Sequence, residues 1–284
     1  RAHHNLRNIR GGSNTFNGSK KYIACWIRGP GSGGMPMTAT MPWPTLLECP
    51  HCSSALRLVD DAWECDSHGT VALQRQGIAD FLFDTCEIRL ANEGRWDLEE
   101  DQQTGLKLTE VCDNYSYADL SEYARRLQTS AGGLLGDPHA RVLTSRLAAR
   151  AQRRFARRYE RVANEVGRGH GEHMLHKIDT RLQDLDRPPM PRRLALELGG
   201  GDGQYLLGFA AKFQHVVFID ASLVNVVLAR ALTRDDGVTN VSFLRADITS
   251  LPIKREVASL AHANNVIEHV HRPRAMAGEC VRIT

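Results

Sequence analysis

The stretch Leu194–Gly203 constrains the fold more than any other part of the chain. It reads LALELGGGDG, so an apolar run interrupted by Glu197 breaks into glycines and then continues with helical periodicity. This pattern predicts a buried strand, a tight turn and a helix. Gly199, Gly201 and Gly203 allow positive φ, so a ligand can lie against the main chain where the first N–H groups of the helix point outward. The sequence predicts a turn that holds a small polar ligand.

The spacing of the glycines narrows the class of ligand. A dinucleotide-binding turn has the pattern GxGxxG, which would need a third glycine at the position of Gln204. The chain instead has GxGxG behind Glu197. Taken alone, such a turn also fits a strand-to-helix connection that binds nothing.

Two later apolar runs end in acidic residues. The run His215–Asp220 ends in a carboxylate whose two oxygens can accept the hydroxyl groups of a ribose, and the run Val241–Asp247 ends in another. A helix N-cap is the alternative role for each aspartate. A further run, His262–Val270, follows as a fourth strand and turn.

In this order, the four stretches resemble the motifs of the class I S-adenosylmethionine (SAM) methyltransferases. The resemblance spans about residues 140–284 and is strongest over 194–270. It implies an α/β fold with a Rossmann-like, doubly wound sheet, SAM as the cofactor, and methyl transfer as the activity. It also implies that Glu197 would steady the amino-acid end of SAM through water, that Asp220 would bind its ribose and that Asp247 would face its adenine. The cofactor-binding residues expected from the resemblance are Glu197, Gly199, Gly201, Gly203, Asp220, Ala221, Asp247, Ile248 and Asn264.

Methyl transfer needs few catalytic side chains, because SAM carries its own leaving group. A hydroxyl or acidic carbon as acceptor would require one base. His269 is our catalytic candidate and His271 the other choice, while a turn or helix-capping role is the alternative for both.

Among the departures from the family pattern, two bear on the glycine turn and on the completeness of the sheet. Gly200 stands where Cys, Ala or Ser is usual, which we expect to be a mild change. The chain ends at Thr284, after the fourth strand and its helix. We therefore expect an incomplete domain from a longer protein that binds SAM weakly, with its last strand left as an unpaired sheet edge.

Two short pairs of metal-ligand residues precede this domain. Cys49 and Cys52 form a CxxC pair, and Cys65 and His68 follow at a spacing typical of a zinc ribbon. Four ligands leave no open position, so we expect a structural zinc ion. A ribbon that has lost its metal, or His51 in place of His68, is the alternative. The module resembles zinc-ribbon leaders that precede bacterial methyltransferase domains.

We expect four segments along the chain. They are a disordered extension (1–41), a zinc-ribbon-like β module (42–84), a linker with short helices (85–138) and the methyltransferase domain (139–284). The last begins with an arginine-rich helix, His139–Val166, whose charged face suits either solvent or an anionic partner such as RNA. His170, His173 and His176 follow at intervals of three, a spacing at which a shared metal is possible but exposed side chains are commoner.

The composition of the chain excludes few classes of binding partner. The net charge of +3 over 284 residues indicates no particular partner, and no run is long and apolar enough for a membrane span, so we expect a cytoplasmic protein.

A small-molecule acceptor that is quinone-like, a lipid or a secondary metabolite is our first hypothesis. An RNA methyltransferase, which the zinc module and the arginine helix would suit, and a non-catalytic zinc-ribbon scaffold are the alternatives. The sequence does not predict the oligomeric state.

Overall fold

The computed structural model describes residues 23–27, 43–85, 87–90, 94–131, 165–201 and 203–284. These residues form a nine-stranded sheet, a separate hairpin and six α-helices. The strands are β1 (Ile23–Ile27), β2 (Arg57–Val59), β3 (Ala62–Cys65), β4 (Gly69–Arg75), β5 (Ile78–Asp80), β6 (Glu87–Leu90), β7 (Gly94–Asp97), β8 (Leu194–Leu198), β9 (His215–Asp220), β10 (Val241–Arg245) and β11 (Leu260–Asn264). The helices are α1 (Leu98–Val111), α2 (Tyr117–Ala131), α3 (Glu165–Asp184), α4 (Leu206–Ala210), α5 (Leu223–Asp235) and α6 (Pro273–Ile283).

Four parallel strands form the centre of the sheet, in the order β11, β8, β9 and β10. Their side chains alternate between two apolar cores, one on each face. Ala195 belongs to one core and Leu196 to the other. Burial on both faces explains why the strand sequences are apolar throughout. The predicted doubly wound, Rossmann-like arrangement is confirmed, and the carboxyl ends of all four strands meet at one edge.

The Cys/His-containing module continues this sheet. Its last strand, β5, pairs in parallel with β10, with Ile78 opposite Phe243, and β4, β3 and β2 follow in antiparallel pairs. We expected a small module standing apart from the methyltransferase domain. The module instead covers the β10 edge, whose backbone groups would otherwise lack strand partners.

The opposite edge of the central strands is covered by β1. This strand pairs antiparallel with β11, with Ile23 opposite Asn264 and Ile27 opposite Leu260. Both expectations for this region differ from the structure. A strand lies within the segment expected to be disordered, and the edge of β11 is paired where we expected a free edge.

Helices α1 and α2 pack on α5 within one apolar core. Leu108 and Leu120 are buried there together with Leu228. At the α1–α5 contact, a Cβ added to Gly105 would come within 2.5 Å of the Leu223 side chain. The segment expected to be a linker is therefore an integral layer of the domain, held by close helix packing.

Residues 139–164 of the predicted arginine-rich helix lie outside the described residues, so the structure does not test that expectation. Among the helices that are described, none combines the length and apolar character that a bilayer crossing requires.

Candidate functional site

The glycine turn after β8 has the backbone conformation that its sequence predicts. Gly199, Gly201 and Gly203 have φ values of 61°, 54° and 73°. The N–H groups of Gly199 and Gly200 both donate to the carbonyl of Ile219 on β9, at 2.8 and 3.3 Å. The turn is therefore fixed to the neighbouring strand. Beside Gly201 the space is open, since no atom lies within 4 Å of the position that a Cβ would take.

Gly200 is required for packing. An added Cβ would lie 2.1 Å from the ring of Phe218 on β9. The aromatic ring thus occupies the space that Cys, Ala or Ser would need at this position. This contact, which the sequence of the turn alone could not show, accounts for glycine at this position.

Asp220 joins the glycine turn to the start of α5. It accepts hydrogen bonds from the backbone N–H of Gly201 at 2.8 Å, from that of Ser222 at 2.8 Å and from the side-chain amide of Asn225 at 3.3 Å. These contacts fix the carboxylate where the turn and the start of α5 meet. Burial raises the pKa of Asp220, and these three hydrogen bonds oppose that effect.

A small cavity, which we call the turn cavity, lies against the glycines. It has a volume of about 150 Å³. Four of the predicted site residues line it: Glu197, Asn264 and the turn glycines Gly199 and Gly201. The side-chain oxygen of Asn264 is buried without a hydrogen-bond partner among the described residues.

A larger cavity, the strand-end cavity, adjoins it through Gly199. Its volume is about 660 Å³. The predicted residues that line it are Gly199, Asp220, Ala221, Asp247, Ile248 and His269, and His271 lines it as well. Gly203 lines neither cavity. The structure thus brings together the acidic strand ends and the histidine candidate, and leaves Gly203 with the conformational role of leading the chain into α4.

The N-terminal segments supply one wall of the strand-end cavity. Leu82 follows β5, and Ile88 and Leu90 belong to β6. Leu90 also forms an antiparallel bridge with Val270, in the turn after β11. Sequence reasoning missed this wall because nothing in the local pattern of residues 82–90 indicates which cavity they face.

A buried charged network, also missed from the sequence, connects those segments to Asp220. Arg245 at the end of β10 donates to both carboxylate oxygens of Asp80 at 3.3 Å and to the carbonyl of Ala221 at 3.0 Å. Asp101 of α1 accepts from the Ser222 hydroxyl at 2.5 Å and the Leu223 N–H at 2.7 Å. Asp101 therefore caps the N-terminus of α5, where a negative charge is favourable. Burial nevertheless raises the pKa of Asp101 to about 6.

The Cys/His residues of the N-terminal module converge. The ligand atoms of Cys49, Cys52, Cys65 and His68 all lie within 4.8 Å of one another. The sulfurs of Cys49 and Cys65 each lie 3.6 Å from Nδ1 of His68. The sulfurs of Cys52 and Cys65 lie 3.6 Å apart. Such spacings fit ligands about 2.0–2.3 Å from one tetrahedral ion. His51 is outside this group, although its ring lies 5.1 Å from that of His68.

The environment of these thiols differs from one to the next. Hydrogen bonds with the side chain and backbone of Ser54 lower the pKa of Cys52 to about 6. The hydrogen bond to His68 lowers the pKa of Cys65, whereas burial raises that of Cys49. The lowered pKa values of Cys52 and Cys65 favour the thiolate, the form that binds a metal.

The three histidines near the start of α3 form no such group. His170 contacts Gln204 through Nδ1 at 3.1 Å. Among the described residues, no metal-sized group of ligand side chains includes His170, His173 or His176. The possible shared metal on this helix is not supported.

Residues 195–284 match a family described as a methyltransferase domain. Over 89 residues the chain is 30% identical to an uncharacterized methyltransferase of Mycolicibacterium vanbaalenii, a match that covers 31% of this chain and 34% of that protein. Among solved structures, a SAM-dependent methyltransferase from Aquifex aeolicus is similar at 19% identity, with a TM-score of 0.30, over 40% of this chain and 66% of that one. SAM-bound CalS10, an amino pentose methyltransferase from Micromonospora echinaspora, is similar at 23% identity, with a TM-score of 0.23, over 28% and 31%.

The chain thus spans about a third of the length of the curated relative, 34%. Because both TM-scores are low, the similarity to methyltransferases rests on the family match and on the curated relative. They agree with the parallel order β11, β8, β9, β10 and with the glycine turn after β8. Residues 195–284 of this chain are therefore similar to a methyltransferase domain, and the parallel strand order is that of the class I SAM-dependent methyltransferases.

Proposed function

We propose that the chain binds SAM across the turn cavity and the strand-end cavity and methylates a small-molecule acceptor. The single observation that carries this proposal is the Gly201–Asp220 contact, in which the N–H of the turn meets the strand-end carboxylate at 2.8 Å. The open space beside Gly201 and the buried, unpartnered oxygen of Asn264 provide a fit for a polar ligand there.

Each cavity suits a different part of SAM. In the turn cavity, Glu197 and Asn264 would hold the amino-acid end, because their oxygens accept hydrogen bonds from an ammonium group. In the strand-end cavity, Asp220 would accept a ribose hydroxyl, and Asp247 and Ile248 would lie at the adenine. SAM supplies a methyl group on a sulfonium and carries its own leaving group. The residues of the chain have mainly to hold and align it.

A small, largely apolar acceptor is favoured by the wall of the strand-end cavity. Leu82, Ile88 and Leu90 face this space together with Val266 and Val270. A groove for RNA would instead combine basic side chains with exposed aromatic rings on which bases stack. The apolar wall therefore supports a quinone-like, lipid or secondary-metabolite acceptor over RNA.

His269 is the base in this proposal if the acceptor requires one. Its side chain is exposed at the strand-end cavity, and its backbone N–H is fixed on the carbonyl of Val266 at 2.9 Å. His271 lines the same cavity and is the alternative base.

We further propose that Cys49, Cys52, Cys65 and His68 hold a structural zinc ion. Three sulfurs and one imidazole nitrogen within 4.8 Å of one another suit zinc, and all four positions are taken by protein ligands. The ion would stabilise the module that contributes Leu82 to the wall of the strand-end cavity. Thiolate ligands are retained in a reducing compartment, so the same cluster favours the cytoplasm.

The acceptor class can be tested with methyl-labelled SAM and a bacterial cell extract. We expect label in organic-extractable small molecules, and none when Gly201→Arg replaces the wild-type protein. Label that stays with RNA and is released by ribonuclease would support the RNA alternative. A protein that binds SAM but labels neither fraction would favour the non-catalytic scaffold.

A further inference from the structure

His262 is a buried imidazole in the wall of the turn cavity. It lies in the middle of β11, is 1% exposed, and stands directly opposite Glu197 in the parallel β8–β11 pair. Residues paired in this way place their side chains on the same face of the sheet. Both residues line the turn cavity, together with Asn264.

Aromatic rings fix the orientation of this imidazole. The ring of Tyr205 meets it edge to face at 4.6 Å between centroids, and the ring of Phe209 does so at 5.0 Å. Neither contact offers a hydrogen bond to the ring nitrogens in this arrangement. Both Nδ1 and Nε2 of His262 are buried without a partner among the described residues.

Such an arrangement is costly unless a ligand completes it. A buried donor or acceptor left without a partner loses its hydrogen bonds to water and gains none in return. Burial also lowers the pKa of His262 to about 3, so the ring is neutral near pH 7 and offers one N–H donor and one nitrogen acceptor. An amino-acid zwitterion has both matching groups, a carboxylate and an ammonium.

We propose that His262 is a positioning residue that hydrogen-bonds the amino-acid end of SAM, beside Glu197 and Asn264 in the turn cavity. This inference rests on the proposed donor site. In this proposal the neutral imidazole of His262 raises the affinity for the amino-acid end of SAM. The adenosine part of SAM binds in the strand-end cavity and does not contact His262. The unmet hydrogen bonds of His262 are then satisfied only in the complex.

Two ligands that differ in the amino-acid end provide the test. S-adenosylhomocysteine has this end, and 5′-methylthioadenosine lacks it. Both are titrated calorimetrically into the wild type and into His262→Phe, which keeps a ring between Tyr205 and Phe209 but removes both nitrogens. His215→Phe is the matched control, since His215 is a strand histidine that contacts Ser242 and lines neither cavity.

We expect His262→Phe to weaken S-adenosylhomocysteine binding by about tenfold or more, because hydrogen bonds to charged groups contribute this much. Binding of 5′-methylthioadenosine should change by less than about twofold, and His215→Phe should leave both affinities near the wild type. His262→Gln, which restores a donor and an acceptor, should recover part of the loss. Equal weakening of both ligands, or no weakening of either, would overturn the role of His262.

Two further results separate this inference from the proposed function. Failure of the wild type to bind either ligand would overturn the donor site itself. The melting temperature of unliganded His262→Phe should equal or exceed that of the wild type, because an apolar ring of the same shape removes unsatisfied groups. A marked loss of thermal stability would mean that the nitrogens are satisfied inside the protein, which contradicts the inference.

Discussion

The guanidinium of Arg245 donates to both carboxylate oxygens of Asp80 at 3.3 Å, and both side chains are fully buried. Asp80 ends β5 of the N-terminal module and Arg245 ends β10 of the methyltransferase sheet, so the pair lies where the two parts of the sheet join. Arg245 also reaches the carbonyl of Ala221, next to Asp220. The Cys/His module and the proposed donor site are parts of one packed structure.

The buried pair makes a first prediction about stability. Asp80→Leu leaves the charge of Arg245 without its main partner, and we expect a loss of about 3–5 kcal/mol in the free energy of unfolding. Asp80→Leu with Arg245→Met should lose less, since the two fully buried charges are then removed together. Urea unfolding measures both. Asp66→Ala, which breaks the exposed pair of Asp66 with Arg57, is the control and should have little effect. A double variant as unstable as the single one would contradict this account of the pair.

Gly200 gives a prediction about packing. Gly200→Ala places a methyl group 2.1 Å from the Phe218 ring, and we expect a destabilisation of about 1–3 kcal/mol from overpacking. Adding Phe218→Leu should recover part of this loss. The control, Gly278→Ala, lies within α6, where a Cβ meets nothing within 4 Å, and should raise stability by about 0.5–1 kcal/mol. If Gly200→Ala is as stable as Gly278→Ala, the Phe218 contact does not exclude a side chain.

The buried imidazole of His262 predicts a pH dependence of stability. Its folded pKa of about 3 lies below the unfolded value of about 6.5, so the unfolded state binds the proton as the pH falls. Titration of His262 therefore leaves the stability of the fold unchanged above about pH 6.5 and lowers it progressively below that pH. Between pH 7 and pH 5 we expect the wild type to lose about 2 kcal/mol more than His262→Phe does. Parallel curves of unfolding free energy against pH for the two proteins would show that His262 is not buried as a neutral ring.

Metal removal tests the Cys/His group. We expect one zinc ion per chain after purification, measured by plasma mass spectrometry, and a lower melting temperature after treatment with a strong chelator. Cys65→Ser should lose the metal. Cys280→Ala should retain it, because Cys280 is buried in α6 outside the group. A wild-type protein free of zinc and insensitive to chelator would contradict the structural metal.

Local patterns allowed much of the site to be predicted. Glu197, Asp220 and Asp247 were found because each lies in or at the end of an apolar run, and Gly199 and Gly201 because strand and helix periodicities meet there. The ligand pairs around Cys49 and Cys65 were found through their spacing. The structure places these residues where parallel strands end or where two turns converge, which local pattern can anticipate.

The features that the sequence did not predict depend on contacts between segments that are distant along the chain. Asp101 and Ser222 are 121 residues apart, and neither has a local signal that predicts the contact. The same holds for β1, whose sequence lies in a glycine-rich and serine-rich segment and forms a strand where the β11 edge offers partners. His262 was read as part of an apolar strand, and only the register with Glu197 and the rings of Tyr205 and Phe209 give it a role.

Calorimetric titration of S-adenosylhomocysteine tests the central claim most directly. The wild-type protein is compared with Gly201→Arg, which would fill the open space beside the turn. The matched control is Gly237→Arg, since Gly237 also has positive φ (70°), open space at its Cβ position and an exposed site beyond α5. The account predicts binding by the wild type and Gly237→Arg and none by Gly201→Arg. No binding by the folded wild type, or equal binding by all three proteins, would contradict a donor site at the glycine turn.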